Sequence, residues 1–189
     1  RMIAEILPAL VKEQDTKDVK QVTRAVIYGA FVEREFQLKK DKLRNGSSGI
    51  VISNDFDEVS SFQRFSMELA ANMFVLRTNS VMTQGIDYRF EKNLKDHWDR
   101  FFGNHNVTLV ASRFGAPIIN IGRQRAFRHK SLLEYFAAKM LVQELENSIK
   151  HGEQVDISSF INRRAVHEEP SVPSFMLDIV ATNSPLKDA

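Results

Sequence analysis

Apolar residues recur at helical spacing along most of the chain, and the period changes in one place. Ile3, Ile6, Leu7 and Leu10 predict a short helix over 2–13, kinked or broken at Pro8. Asp15 or Thr16 suits the N-cap of a longer helix carrying Val19, Val22, Val26, Ile27, Phe31 and Phe36. Lys39, Lys40, Lys42 and Arg44 close it before Asn45-Gly46-Ser47-Ser48-Gly49. Cations in a last turn followed by glycine mark a helix stop, and this stretch is the best internal boundary. A third helix is predicted over 57–77, with a capping box from Asp55 to Glu58 and one face made by Phe62, Phe65, Leu69, Met73 and Leu76. A fourth, over 91–102, presents Leu94, Trp98, Phe101 and Phe102 and stops at Gly103-Asn104. Val107-Thr108-Leu109-Val110 fits either a strand or a short helix.

The period then shifts. Pro117 to Ile121 and Arg125 to Arg128 are short β-prone runs around Gly122-Arg123-Gln124, a three-residue connection suited to a hairpin. Ser131-Leu132-Leu133-Glu134 has the S-x-x-E form of a capping box. It opens a helix burying Leu133, Phe136, Ala137, Met140, Leu141 and Leu145 and ending at Lys150-His151-Gly152. Shorter helices follow over 156–164 and 172–181. The fold class expected is mainly α: a helical-bundle segment, then a winged-helix domain with one hairpin near 117–128 as its only sheet. Phe136 is expected to pack against the helix bearing Leu69 and Met73.

A chain of 189 residues with net charge +2 buries one good core or two small ones. Fourteen Phe against eight Gly favour packed helices over a loop-rich scaffold. The absence of Cys excludes disulfides and thiolate metal sites and fits a reducing cytoplasmic location. No apolar run approaches the roughly 18–20 residues that span a bilayer; the longest, Ala25 to Val32, is far shorter. No signal peptide is visible, but the chain starts inside a helical pattern and reads as a piece of a longer protein.

Phe127-Arg128-His129-Lys130-Ser131-Leu132-Leu133-Glu134-Tyr135-Phe136-Ala137-Ala138 resembles the Phe-x-His-x-Ser-x-x-Glu-[Tyr/Phe]-Phe-Ala-Ala winged-helix signature of NACHT-type STAND NTPases. Thr23-Arg24 with Ile27-Tyr28 and Phe31-Val32 resembles that family's preceding helical domain. Leu69-Ala70-Ala71-Asn72-Met73 resembles the helix opening its winged-helix region. Asn162-Arg163-Arg164 with Glu169-Pro170-Ser171-Val172 and Phe175 resembles the segment leading to C-terminal repeats. The matches occur in the family's order. Leu133 departs from a common Gln, and Gly29-Ala30 is smaller than usual. The resemblance implies the end of a helical domain over 1–46, a winged-helix domain over 47–152 and the start of a repeat linker over 153–189.

It also implies a regulatory arm of a signalling NTPase. No G-x-x-x-x-G-K-[S/T] and no apolar strand ending in paired acids occur here. ATP or ADP with Mg therefore belongs to the full-length parent, and the chain alone is expected to bind none strongly and to hydrolyse none. The implied partners are an upstream NTPase core, downstream repeats and a nucleotide-dependent homo-oligomer, with no membrane. By resemblance, His129 reaches the β-phosphate of ADP and locks the resting state; an imidazole N–H donates well to a charged oxygen. Replacing His129 is then expected to loosen ADP while hardly affecting folding of the arm. The competing reading is that His129 packs or caps beside Ser131.

Other chemistry is weaker. Glu134 has an acid's character, but a capping box accounts for it. Glu91, Asp96, His97 and Asp99 suggest a metal cluster, yet Asp96 and His97 are helix neighbours that diverge. Lys39, Lys40, Lys42 and Arg44 complement a helix end. Ser47, Ser48 and Ser112 lack a G-x-S-x-G elbow. A DNA-binding winged helix needs a basic recognition helix, and Asn106 to Phe114 offers Arg113 alone, supplemented by Arg123, Arg125 and Arg128 on the wing. Nucleic acid is thus an unfavoured partner, and a helical scaffold for another protein is the third reading.

Overall fold

A computed structural model describes residues 22–82, 92–103, 106–122, 124–152 and 169–183. The helices expected over 2–13 and 156–164, and the caps expected at Asp15 or Thr16, lie outside those residues. The described elements are α1 (Arg24–Arg44), α2 (Glu58–Val75), β1 (Val81–Met82), α3 (Lys92–Phe102), α4 (Val107–Gly115), β2 (Ile118–Ile121), β3 (Gln124–Phe127), α5 (Lys130–His151) and α6 (Ser171–Asn183). The chain is mainly helical, as its periodicity predicts.

Capping chemistry explains most helix starts. Thr23, not the expected Asp15 or Thr16, caps α1, its hydroxyl accepting from the Val26 N–H at 3.3 Å. The helix thus starts later than its sequence pattern predicts, and Val22, expected on its apolar face, precedes it and is exposed. The expected box from Asp55 to Glu58 does not form. Asp57 caps α2 by accepting from the Ser60 N–H at 3.2 Å. Glu58 is buried instead and paired with Arg44, which also donates to the Phe56 carbonyl at 3.1 Å. That ion pair takes the carboxylate a reciprocal box would need. Leu76, expected on the buried face, is the C-cap residue and is exposed. Asn106 settles 107–110 as helix: its side chain accepts from the N–H groups of Thr108 at 2.8 Å and Leu109 at 3.4 Å.

The hairpin has a tighter turn than expected, and it is not the whole sheet. Ile121 pairs with Gln124, closer than the expected three-residue connection allows, and Gly122 leaves β2 at φ 59°. β1 adds antiparallel to β3 through Val81–Arg125 and Met82–Gln124, giving the order β1-β3-β2. Two residues show no alternation, which is why the sequence pattern hides this strand.

One hydrophobic cluster draws on α1 through α6. Phe36 packs edge-on to Phe62 at 5.8 Å and stacks with Phe136 at 6.3 Å, and Phe136 meets Phe127 of β3 at 5.8 Å. Phe136 is fully buried, and its helix α5 packs closely along α2, which carries Leu69 and Met73. Residues from both sides of the Gly46–Gly49 turn share this core.

Candidate functional site

The site begins where β3 passes into α5. Phe127 is buried, the Arg128 N–H donates to the Pro117 carbonyl at 2.9 Å, and the Arg128 guanidinium pairs with Glu35 at 3.2 Å. Anchored on both sides, the chain presents His129 in extended geometry (φ −145°, ψ 142°) as the N-cap of α5. His129 is exposed. Its Nδ1 accepts from the Ser131 N–H at 3.2 Å and lies 3.1 Å from the Ser131 hydroxyl. With Nδ1 accepting, the neutral ring carries its proton on Nε2. An outward N–H donor therefore stands at the positive end of a 22-residue helix.

This arrangement corrects the expected box from Ser131 to Glu134. Ser131 is the second helical residue, and Glu134 does not turn back to the cap. Glu134 is buried beside Glu169 and Lys130, whose Nζ lies 3.7 Å from Glu134 and 2.9 Å from Glu169. Burial pushes the Glu134 carboxyl above its ordinary range, against the pull of Lys130 and with reinforcement from the neighbouring Glu169 carboxyl. The cluster ties the first turn of α5 to the residues leading into α6.

Glu91 and the Asp96 side chain lie outside the described residues, Asp99 is exposed, and no metal-holding group of three His, Cys, Asp or Glu occurs among the described residues. His97 sits edge-on to Trp98 at 4.9 Å, with its Nε2 buried and unpartnered. The Ser112 hydroxyl donates to the Thr108 carbonyl at 2.8 Å, and that of Ser48 accepts from the Ile50 N–H at 3.2 Å; Ser47 is exposed. Arg113 donates to the Gly103 carbonyl at 3.2 Å, Arg125 lies over Phe102 at 5.0 Å and Lys39 over Phe114 at 4.7 Å. Arg123 lies outside the described residues. Arg113, Arg125 and Lys39 are thus each engaged within the chain.

Packing also joins distant segments. Tyr28, Tyr135 and Phe175 form a triangle with centroids 5.1–5.9 Å apart, capped by the Arg24 guanidinium 4.4 Å above Phe175. Asp178 accepts from the Ala25 N–H at 3.4 Å. Sequence reasoning missed the groove beside this triangle, whose lining includes Glu33 of α1 and Tyr135 and Lys139 of α5. The signal was there in the four-residue spacing of Tyr135 and Lys139, which places both on one helix face. Among the described residues no helix is long and apolar enough to cross a membrane. No protein-family model, curated protein or solved structure matches the chain.

Proposed function

We propose that this chain is the helical and winged-helix arm of a NACHT-type STAND NTPase, and that it biases a nucleotide-dependent switch through His129. The observation that carries this reading is the His129 cap. Nδ1 is occupied within the chain, so Nε2–H remains as a donor of fixed orientation beside a helix N-terminus, a combination that favours phosphate oxygen. The order of elements supports it: helices, α4, the β2–β3 hairpin and α5 follow one another as in a winged helix with added helices. So does the meeting of Tyr28, Tyr135 and Phe175, because each comes from a different stretch of the family resemblance.

In this mechanism ADP, held by an upstream core, bridges to the arm through His129. A contact present in one nucleotide state and absent in another shifts the closed/open ratio by its differential free energy. A hydrogen bond to a charged group is worth roughly 1.5–3 kcal/mol, about a ten- to hundredfold shift. The DNA-binding reading loses support because Arg113 and Arg125 are committed to groups within the chain.

The test separates capping from phosphate contact. His129→Ala removes the cap and is expected to cost the arm about 0.5–2 kcal/mol, a change from the near-neutral effect expected without knowledge of the cap. His129→Ser keeps a capping oxygen but is too short to reach a ligand. In the full-length protein, His129→Ser should weaken ADP about ten- to hundredfold with an unchanged melting midpoint. Unaltered ADP affinity in His129→Ser would overturn the proposal.

A further inference from the structure

The groove between α1, α2, α5 and α6 plays no part in the switch proposed above. It encloses about 590 Å³, within the range of small-molecule sites. Val26, Phe36, Val59 and Ile179 supply an apolar wall. Tyr135 is 4% exposed, and its hydroxyl faces Gly29, where an added Cβ would lie 3.4 Å from it. Lys139, one turn further along α5, is half-buried. Among the described residues neither the Tyr135 hydroxyl nor the Lys139 ammonium has a hydrogen-bond or ion-pair partner.

Both donors open to the groove, and a ligand that accepts from both exchanges water contacts for two hydrogen bonds, one of them charge-assisted. We propose that the groove binds a single-chain amphiphile with a carboxylate head, the head accepting from Lys139 and Tyr135 and the alkyl chain lying along Val26, Phe36, Val59 and Ile179. Burial pushes the Tyr135 hydroxyl up to about 12, so it stays protonated and donates. Burial lowers Lys139, and the Glu33 carboxylate opposes that, favouring the ammonium. The Glu33 carboxylate in the same lining repels any anionic head, a singly charged carboxylate less than a phosphate or other multiply charged group.

The experiment titrates decanoate, below its micelle concentration, into the 189-residue chain by calorimetry. Decanol and decyltrimethylammonium serve as controls for chain length and charge. Saturable one-site binding of decanoate is expected, with decanol weaker and the ammonium amphiphile not saturable. Lys139→Met and Tyr135→Phe should each weaken decanoate about tenfold or more. Each variant's melting midpoint is recorded alongside; Tyr135→Phe deletes a single oxygen and remains informative if Lys139→Met misfolds. No decanoate binding, equal binding of decyltrimethylammonium, or unchanged affinity in a folded variant would each overturn the proposal. A dimer of the chain that Lys139→Met dissociates, without decanoate binding, would place a second copy in the groove instead. Because none of these measurements involves nucleotide, their failure is independent of the His129 reading.

Discussion

The ring of Phe62 lies directly against Gly115. A Cβ added at residue 115 would overlap the ring carbons, and Phe62 is fully buried in α2. The last residue of α4 is therefore glycine for close approach between two helices, a reason that does not depend on backbone conformation. Gly115→Ala forces Phe62 or α4 to move, and overpacking of this kind costs about 1–3 kcal/mol or more. Denaturant midpoints of Gly115→Ala, Phe62→Leu and the double variant test it. The double variant should recover part of the loss, since contacting residues are non-additive. Simple additivity would mean that the two side chains do not meet.

Phe136 joins the aromatic contacts of α1, β3 and α5. It stacks with Phe36, meets Phe127 and lies edge-on to Tyr135 at 5.4 Å. Phe136→Ala should cost about 3–5 kcal/mol, combining lost burial with the cavity left between helices. A loss under about 1 kcal/mol by chemical denaturation would place Phe136 at the surface.

His97 should make stability fall on acidification. Burial depresses its pKa below 6.5, and the Arg100 charge adds to the effect. Between the unfolded value and the folded one, the unfolded chain binds the extra proton. Stability from neutral His97 is fully present above pH 6.5 and is lost as pH falls from there through the folded value. Melting midpoints at several pH values between about 8 and 5 are compared for the wild type and His97→Asn. The wild type should lose more. Equal losses would show that His97 protonates as easily in the folded chain as in the unfolded one.

Much of the fold was legible because it is local. The 3.6-residue recurrence of Phe62, Phe65, Leu69 and Met73 is a property of one helix, and so is the stop at Gly152, which takes φ 65° as the left-handed C-cap of α5. The chemistry of His129 was half legible. The residue could be singled out from the segment around it, but its role as the cap required knowing that Arg128 is pinned to Pro117 and Glu35.

The amino-acid order indicated most of the described helices, most of their apolar faces and the place where the period breaks, because those depend on residues within a turn or two of one another. Choices between near-equivalent local partners needed the folded chain. Asp55 or Asp57 suits a cap equally in one dimension; Arg44, arriving from α1, claims Glu58 and leaves Asp57 to cap. Ser131 and Glu134 form a plausible box until Lys130 and Glu169 draw Glu134 into the core. Tyr135 and Lys139 share a groove with α1, where Gly29 leaves space beside the Tyr135 hydroxyl, and no local pattern shows it. In each case the deciding group is far away in the chain. Its effect is felt only when packing brings it within a few ångströms, where hydrogen bonds and steric contact act.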